Sequence, residues 1–334
     1  VHESCLVLLA AYGADCFFGD PAYPLHPVRL IGRCIPSVER RLRASGYAGI
    51  RGGALLVAAM LLIVLGAYLV VRMFCGAVHP AALFALDVFV VYSCVALKDM
   101  ERHALPVASA LDAQDLSAAR AAVQRIVGRD AAVLDAPGVA RAAVESVAES
   151  FVDGFFAPLC WFVAGATFAA LMGADIIVWA VGATLAYRTV NTLDSTVGYR
   201  DERYLRFGRI SARLDDALNY VPARLSLAPL YVAAYVGCMD ARAGWTIALR
   251  DRLKHESPNA AHAESFVAGA LGLRLGGPLQ YPDGAVEKPW LGDGTPDAGP
   301  AHIRAVCHLV QWTGGVSVAA AALLLLAMGR RHYL

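Results

Sequence analysis

From Gly52 to Val71 the chain runs for about 20 residues without a charge, between Arg51 and Arg72. At a rise of about 1.5 Å per residue, a helix of that length crosses a hydrocarbon core about 30 Å thick. A chain holding such a run is expected to enter a membrane, where every backbone N–H and C=O must be bonded inside helices or a closed barrel. No stretch alternates with the period of two that a barrel strand needs, so helices are the expected solution.

The other apolar runs fit that frame. His79-Pro80 breaks the chain, and Ala81 to Leu97 reads as the return span, with Asp87 facing protein or water rather than lipid. Phe155 to Met172 and Ala174 to Tyr187 read as a helical hairpin pivoting at Gly173, its second arm short for a crossing. Val306 to Met328 is a last span. Leu6 to Phe18, with Asp15 inside it, is marginal, and the 13 residues Leu227 to Met239 suit a re-entrant or protein-buried helix. The fold class expected is all-α and polytopic, with roughly four to six membrane helices. Residues 1–334 are read as a single membrane-embedded domain with extramembrane segments at 98–153, 188–225 and 241–304.

Composition supports this. The chain is 58% hydrophobic and only 17% charged, against about 25% charged in soluble domains. A net charge of +1 gives no argument for a nucleic-acid partner. The eight cysteines are scattered and never form CxxC, so they read as small buried residues. The basic stretch Arg29, Arg33, Arg40, Arg41, Arg43 and Arg51 places its loop on the cytoplasmic side. The expected location is the inner (cytoplasmic) membrane; if Leu227–Met239 only dips in, the favoured reading, both polar regions face the cytoplasm, and if it crosses, residues 241–304 lie on the opposite side.

Four constellations in the polar segments have the composition of a site. Arg141, Glu145, Glu149 and Asp153 recur every four residues and share one helical face. Three carboxylates in a row repel unless a cation sits among them, and Mg²⁺ held by one or two carboxylates plus phosphates is the usual arrangement. A solvated face with one Arg141–Glu145 pair is the plainer alternative. The stretch Tyr187 to Leu225, dense in arginine and acid and devoid of lysine, sets Asn191 and Asp194 three apart and Asp215 and Asn219 four apart, beside Arg213 and Asp216. Arginine there suits bidentate capture of carboxylate or phosphate, or a structural ion-pair network.

In Arg250 to Ser265, Lys254 and His255 precede Ser257-Pro258, an N-cap and first-turn pair that would leave helix N–H groups for an anion beside Lys254. The helix beyond carries Glu264. Gly269 to Gly277 is followed by Glu287-Lys288-Pro289-Trp290-Leu291-Gly292-Asp293-Gly294, glycines that permit close approach to a ligand. No G-x-x-x-x-G-K-[ST], GxSxG or HExxH occurs, so any nucleotide is held in another way. His26, between prolines, reads as a turn anchor.

Taken together, the blocks GDP…HPVRLIGR (19–33), GRD…V.RAAVESVAES..DG..AP (128–158), Tyr187 with VNTLDS.VGYR.ERY..FG..SARLDD..N..PARL (190–225), RD…KH.SPNA..AE...AGALG.RLGGP (250–278) and VEKPWLGDG (286–294) resemble the CobD/CbiB family of cobalamin biosynthesis, in order and over nearly the whole chain. The chain departs from the common pattern at Ser150-Phe151, Arg209 and Glu256.

The resemblance implies an adenosylcobinamide-phosphate synthase: ATP- and Mg²⁺-dependent amide ligation of aminopropanol, or its phosphate, to adenosylcobyric acid. Other cobalamin-pathway enzymes and the lipid bilayer are the implied partners. Under it, Glu145, Glu149 and Asp153, with Asp215 and Asp216, are expected to serve Mg²⁺ or the amine. Arg213, Arg250, Lys254 and Lys288 would serve phosphates, and Asn191, Asn219 and Asn259 the corrin's peripheral amides. Asp194, His255, Glu264 and Glu287 complete the expected substrate contacts. A non-catalytic AmpE-like membrane sensor or scaffold, or a corrinoid transporter, is the alternative. A transporter should set its polar groups within discontinuous spans, whereas here they cluster in long polar segments.

Overall fold

The computed structural model describes residues 2–331 apart from 22, 129, 282, 283 and 287, and leaves the side chains of 279–281, 284–286, 330 and 331 undescribed. The chain is helical almost throughout. It opens with α1 (His2–Phe18), α2 (Pro27–Ala44), α3 (Ile50–Val78) and α4 (Pro80–Cys94), then α5 (Leu97–Asp112), α6 (Leu116–Val123) and α7 (Ala136–Phe151). A π-helical turn, Val152–Phe156, joins α7 to α8 (Ala157–Met172), and α9 (Ile176–Val197) follows. After α10 (Arg209–Leu225) come α11 (Leu227–Val236), α12 (Ala241–Asp251) and α13 (Ala260–Ala270), four short strands and α14 (Pro300–Arg331). Five helical stretches among the described residues are long and apolar enough to cross a membrane: Ile50–Val78, Pro80–Asp112, Ala136–Met172, Ile176–Val197 and Pro300–Gly329. The protein is an all-α, polytopic membrane protein.

The chain groups into two compact units, each discontinuous in sequence. The first is Val1–Ala96, Ala157–Leu218 and Val318–Leu334, and the second Leu97–Phe156 and Asn219–Ser317. In the first, α2 lays Ile31 and Ile35 against Leu56, Val57 and Met60 of α3, Leu193 and Val197 of α9, and Phe207. The chain approaches so closely there that a Cβ on Gly53 would stand 1.9 Å from the carbonyl oxygen of Phe207. Glu39, 3% exposed, ties the same corner together by accepting from Arg43 Nε at 2.8 Å and Arg203 at 3.0 Å.

Asp87 faces protein, as an ionisable residue in a span must. It is 1% exposed; Tyr68 Oη donates to it at 2.7 Å and Arg72 Nε at 3.3 Å to both oxygens. Arg72 also reaches Asp175 at 3.4 Å. The hairpin pivots at Gly173, whose φ of +66° suits a residue without Cβ. Its second arm is longer than Ala174–Tyr187: α9 continues to Val197, into the charge-dense stretch. Within the helix the polar side chains find partners: Thr189, Thr192 and Thr196 bond back to carbonyls four residues earlier, and Arg188 donates to Asn191 at 3.0 Å.

In the second unit α12 packs on α13, every residue of which is buried. A Cβ on Gly269 would lie 2.5 Å from the Ala243 carbonyl oxygen, which sets how closely the two helices cross. At 10 residues, α11 is about 15 Å long, half a hydrocarbon core. The glycine- and proline-rich segment after α13, read as strandless, holds two small antiparallel ladders, β1 (Leu275–Gly276) with β4 (Trp290–Leu291) and β2 (Leu279–Tyr281) with β3 (Gly284–Val286). Strands of two or three residues are too short to show a period.

Candidate functional site

The site grows from α7. Asp135 caps it, accepting from the Gly138 N–H at 2.7 Å, with Pro137 in the first turn. That start sets the phase of the helix, so Glu145 and Glu149, one turn apart, reach the same cavity. Glu145 Oε1 accepts from the Gly276 N–H at 2.7 Å, fastening β1 to the carboxylate face. The cavity measures about 410 Å³ and lies wholly within the second unit. Its charged lining is Glu145, Glu149, Glu256 and Glu264, with Lys254, His255 and Lys288.

Two expectations for this wall need correction. Asp153 does not continue the face of Glu145 and Glu149. It sits in the π-helical turn, where the wider winding breaks the four-residue repeat, and it does not line the cavity. Among the described residues no three His, Cys, Asp or Glu side chains gather as a metal-holding set, so Glu145, Glu149 and Asp153 form no such cluster. Ser257 does not cap α13. The helix starts at Ala260 with Asn259 at the N-cap position, and Ser257 Oγ instead accepts the Asn259 N–H at 3.3 Å. The anion site expected beside Lys254 is therefore not a helix N-terminus.

The cationic wall is organised by a residue that the sequence reading passed over. Asp251, 0% exposed, accepts from Arg250 Nε at 2.7 Å and Nη2 at 2.8 Å and from the Gly292 N–H at 2.9 Å, and pairs with Lys254 Nζ at 2.7 Å. Burial alone would favour the neutral acid. The Arg250 hydrogen bonds, the Gly292 N–H and Lys254 outweigh it and hold the carboxyl well below the usual range. Arg250 spans from Asp251 to Asp293 and does not line the cavity, whereas Lys254 does. The acid inside the basic run RDRLK, three residues before Lys254, was the available signal. It reads as ordinary charge alternation until burial is known.

Of the other expected residues, Lys254, His255, Glu264 and Lys288 meet Glu145 and Glu149 at the cavity. Glu287 lies outside the described residues. Asn259, 6% exposed, accepts from Arg224 at 3.4 Å, and Asn219 is buried. In the first unit, Asn191 Nδ2 donates to Asp215 Oδ1 at 3.2 Å, which brings α9 and α10 together at a carboxylate 8% exposed. The Asp194 carbonyl accepts the Gly198 N–H at the end of α9, Arg213 is exposed and Asp216 half-buried. His26 anchors its turn as expected: it is 2% exposed, with Nε2 2.7 Å from Asp20 Oδ1.

The donor set suits a phosphate-bound cation better than a closed metal cage. Two carboxylates four residues apart, with two lysines lining the same cavity, match Mg²⁺ shared between protein and phosphate oxygens. At about 410 Å³ the cavity is at the lower end of the range for small-molecule sites, a size for a small charged substrate or part of a larger one.

The chain is similar to proteins of one kind over most of its length. It is 38% identical over 307 residues to cobalamin biosynthesis protein CobD of Desulfotalea psychrophila, covering 92% of this chain and 93% of that one. To CobD of Pelobacter propionicus it is 41% identical over 325 residues, 95% of each. To cobalamin biosynthesis protein CbiB of Salmonella typhi it is 40% identical over 291 residues, 85% of each. No solved structure matches the chain. The family model described as CobD/Cbib protein matches residues 8–310, and the chain belongs to the CobD/CbiB family.

Proposed function

We propose that this protein acts in cobalamin biosynthesis as an adenosylcobinamide-phosphate synthase, joining aminopropanol or its phosphate to a carboxylate of adenosylcobyric acid at the expense of ATP. Family membership supports the pathway. The observation that carries the reaction class is the mixed lining of the cavity, with four carboxylates and Lys254, His255 and Lys288 on one small volume. An amino-alcohol phosphate is an ammonium and a phosphate on one short carbon chain, and it needs both kinds of group.

ATP would supply the phosphoryl group that makes a carboxylate oxygen a leaving group, and Mg²⁺, held by Glu145 and Glu149, would neutralise phosphate charge. The chain's own residues do the rest. Lys254, its ammonium tethered to Asp251, and Lys288 attract phosphate oxygens. A carboxylate of the cavity takes the ammonium proton, which frees the nitrogen lone pair to form the C–N bond. The active site faces the cytoplasm.

The test is reconstitution of the purified protein in lipid with adenosylcobyric acid, aminopropanol phosphate, ATP and Mg²⁺, read by mass spectrometry. An amide product dependent on all four is expected. Its absence, where a CobD relative makes product, overturns the proposal.

A further inference from the structure

Among the described residues His255 is the one imidazole at the cavity, and its hydrogen bonding decides what it can do there. The turn through Ser257-Pro258 brings the Ser257 backbone N–H onto the ring, where Nδ1 accepts it at 3.0 Å. A ring nitrogen that accepts from N–H carries a lone pair, so the neutral ring keeps its proton on Nε2. Pro258 has no N–H to compete for the ring. The half-buried ring makes no hydrogen bond through Nε2 among the described residues, and Nε2 is not sealed from solvent.

We propose that His255 serves the cavity as a neutral hydrogen-bond donor, its Nε2–H meeting a negatively charged oxygen of the bound substrate, and that a carboxylate rather than this histidine deprotonates the attacking amine. The proposal rests on the reading that the amide forms at this cavity. The charged groups around the ring are Glu145 and Glu149 of α7, Lys254 and Glu256 of its own turn, Glu264 of α13, and Lys288. Burial and the Lys288 ammonium hold its pKa below the ordinary histidine value, outweighing Glu256 and Glu145. To act as a base through Nδ1 the ring would have to surrender the Ser257 N–H, and Nε2 already holds its proton. A fixed N–H is suited to the charge that gathers on the substrate oxygen as nitrogen attacks. Such a donor typically contributes about 10²–10³ in kcat, and no bond at the ring is made or broken.

The tautomer can be read without turnover. In protein labelled with ¹⁵N-histidine and held in lipid, the signal lost in His255→Gln should show an unprotonated Nδ1 and a protonated Nε2 between pH 6 and 8, a range about the ordinary histidine pKa. Protonated Nδ1 overturns the proposal and leaves the reaction untouched. In turnover, His255→Leu should lose about 10²-fold in kcat with little change in KM. His255→Gln, whose amide N–H reaches the place of Nε2, should recover about tenfold and keep the acidic limb of the wild-type pH–rate profile. Equal losses in both variants, or an acidic limb missing from the Gln variant, refute the donor role. A wild type that makes no amide overturns the reaction and the role together, and the tautomer measurement tells that failure from the first.

Discussion

Asp251→Asn changes one charge and almost no volume at the centre of the cationic wall. The wild-type carboxylate holds Arg250 by two contacts of 2.7 and 2.8 Å, Lys254 at 2.7 Å and the Gly292 N–H at 2.9 Å. Removing one member of a buried ion pair costs about 3–5 kcal/mol. Here both cations stay partly in water, Arg250 44% and Lys254 41% exposed, so solvent screens their loss. Asparagine also keeps one oxygen to accept from Gly292 or Arg250. Roughly 2 kcal/mol of destabilisation remains, which lowers the unfolding temperature by about 4–8 °C for a unit of this size. The folded Asp251 pKa is depressed, so its stabilisation is fully present above the unfolded value of about 3.9 and is lost as pH falls through the lower folded value. The difference between variant and wild type should therefore be flat from pH 5 to 8 and close only in strong acid, a range set by those same pKa values. Unfolding of detergent-solubilised protein by intrinsic fluorescence measures it. Coincident curves at pH 7, with unchanged amide formation, would refute the assignment of Asp251 as organiser of Lys254.

Other outcomes follow from the same contacts. Lys254→Ala and Asp215→Asn should each abolish amide formation while membrane insertion and expression stay normal; wild-type turnover in both would contradict these assignments. Asp87→Leu leaves Arg72 without its closest carboxylate and should cost about 3–5 kcal/mol, seen as loss of folded protein after extraction, whereas Asp87→Leu with Arg72→Leu should recover most of it. His262 is 0% exposed, and burial, helped by Arg224, pushes its pKa down to about 4. The unfolded chain then binds the proton more tightly, so stability falls from about pH 6.5 toward pH 4, by up to about 3 kcal/mol. His262→Phe should flatten that slope in a pH series of unfolding temperatures. Gly53→Val should fail to pack, because its Cβ would meet the Phe207 carbonyl at 1.9 Å; a stable, folded variant would show that α3 and the Phe207 backbone do not approach so closely.

The helical, polytopic fold was legible because its signal is length without charge, which needs no tertiary information. Gly52–Val71 became Ile50–Val78, and Val306–Met328 became Pro300–Arg331. The far end of α9 was not legible. Threonine, asparagine and arginine between residues 188 and 197 read as the start of a polar segment, and only the back-bonded hydroxyls and buried packing make them helix interior. Spacing found Glu145 and Glu149 but carried the count one turn too far, since nothing local in VDGFF announces a π-turn. Asp251 was missed for the converse reason. Its role depends on being buried, and in the sequence it is one more charge among several.

Neither unit is continuous in sequence. The first unit is completed only by Val318–Leu334, so that segment is made after the whole of the second unit. Domains that fold as they emerge do so from their N-terminal end, and here that order is denied to the first unit. Its early helices must wait in the bilayer, with their packing faces open, through the synthesis of the whole second unit. Truncations designed to isolate either unit will therefore cut through both. A premature stop before residue 318 leaves the first unit without its closing segment, Val318–Leu334.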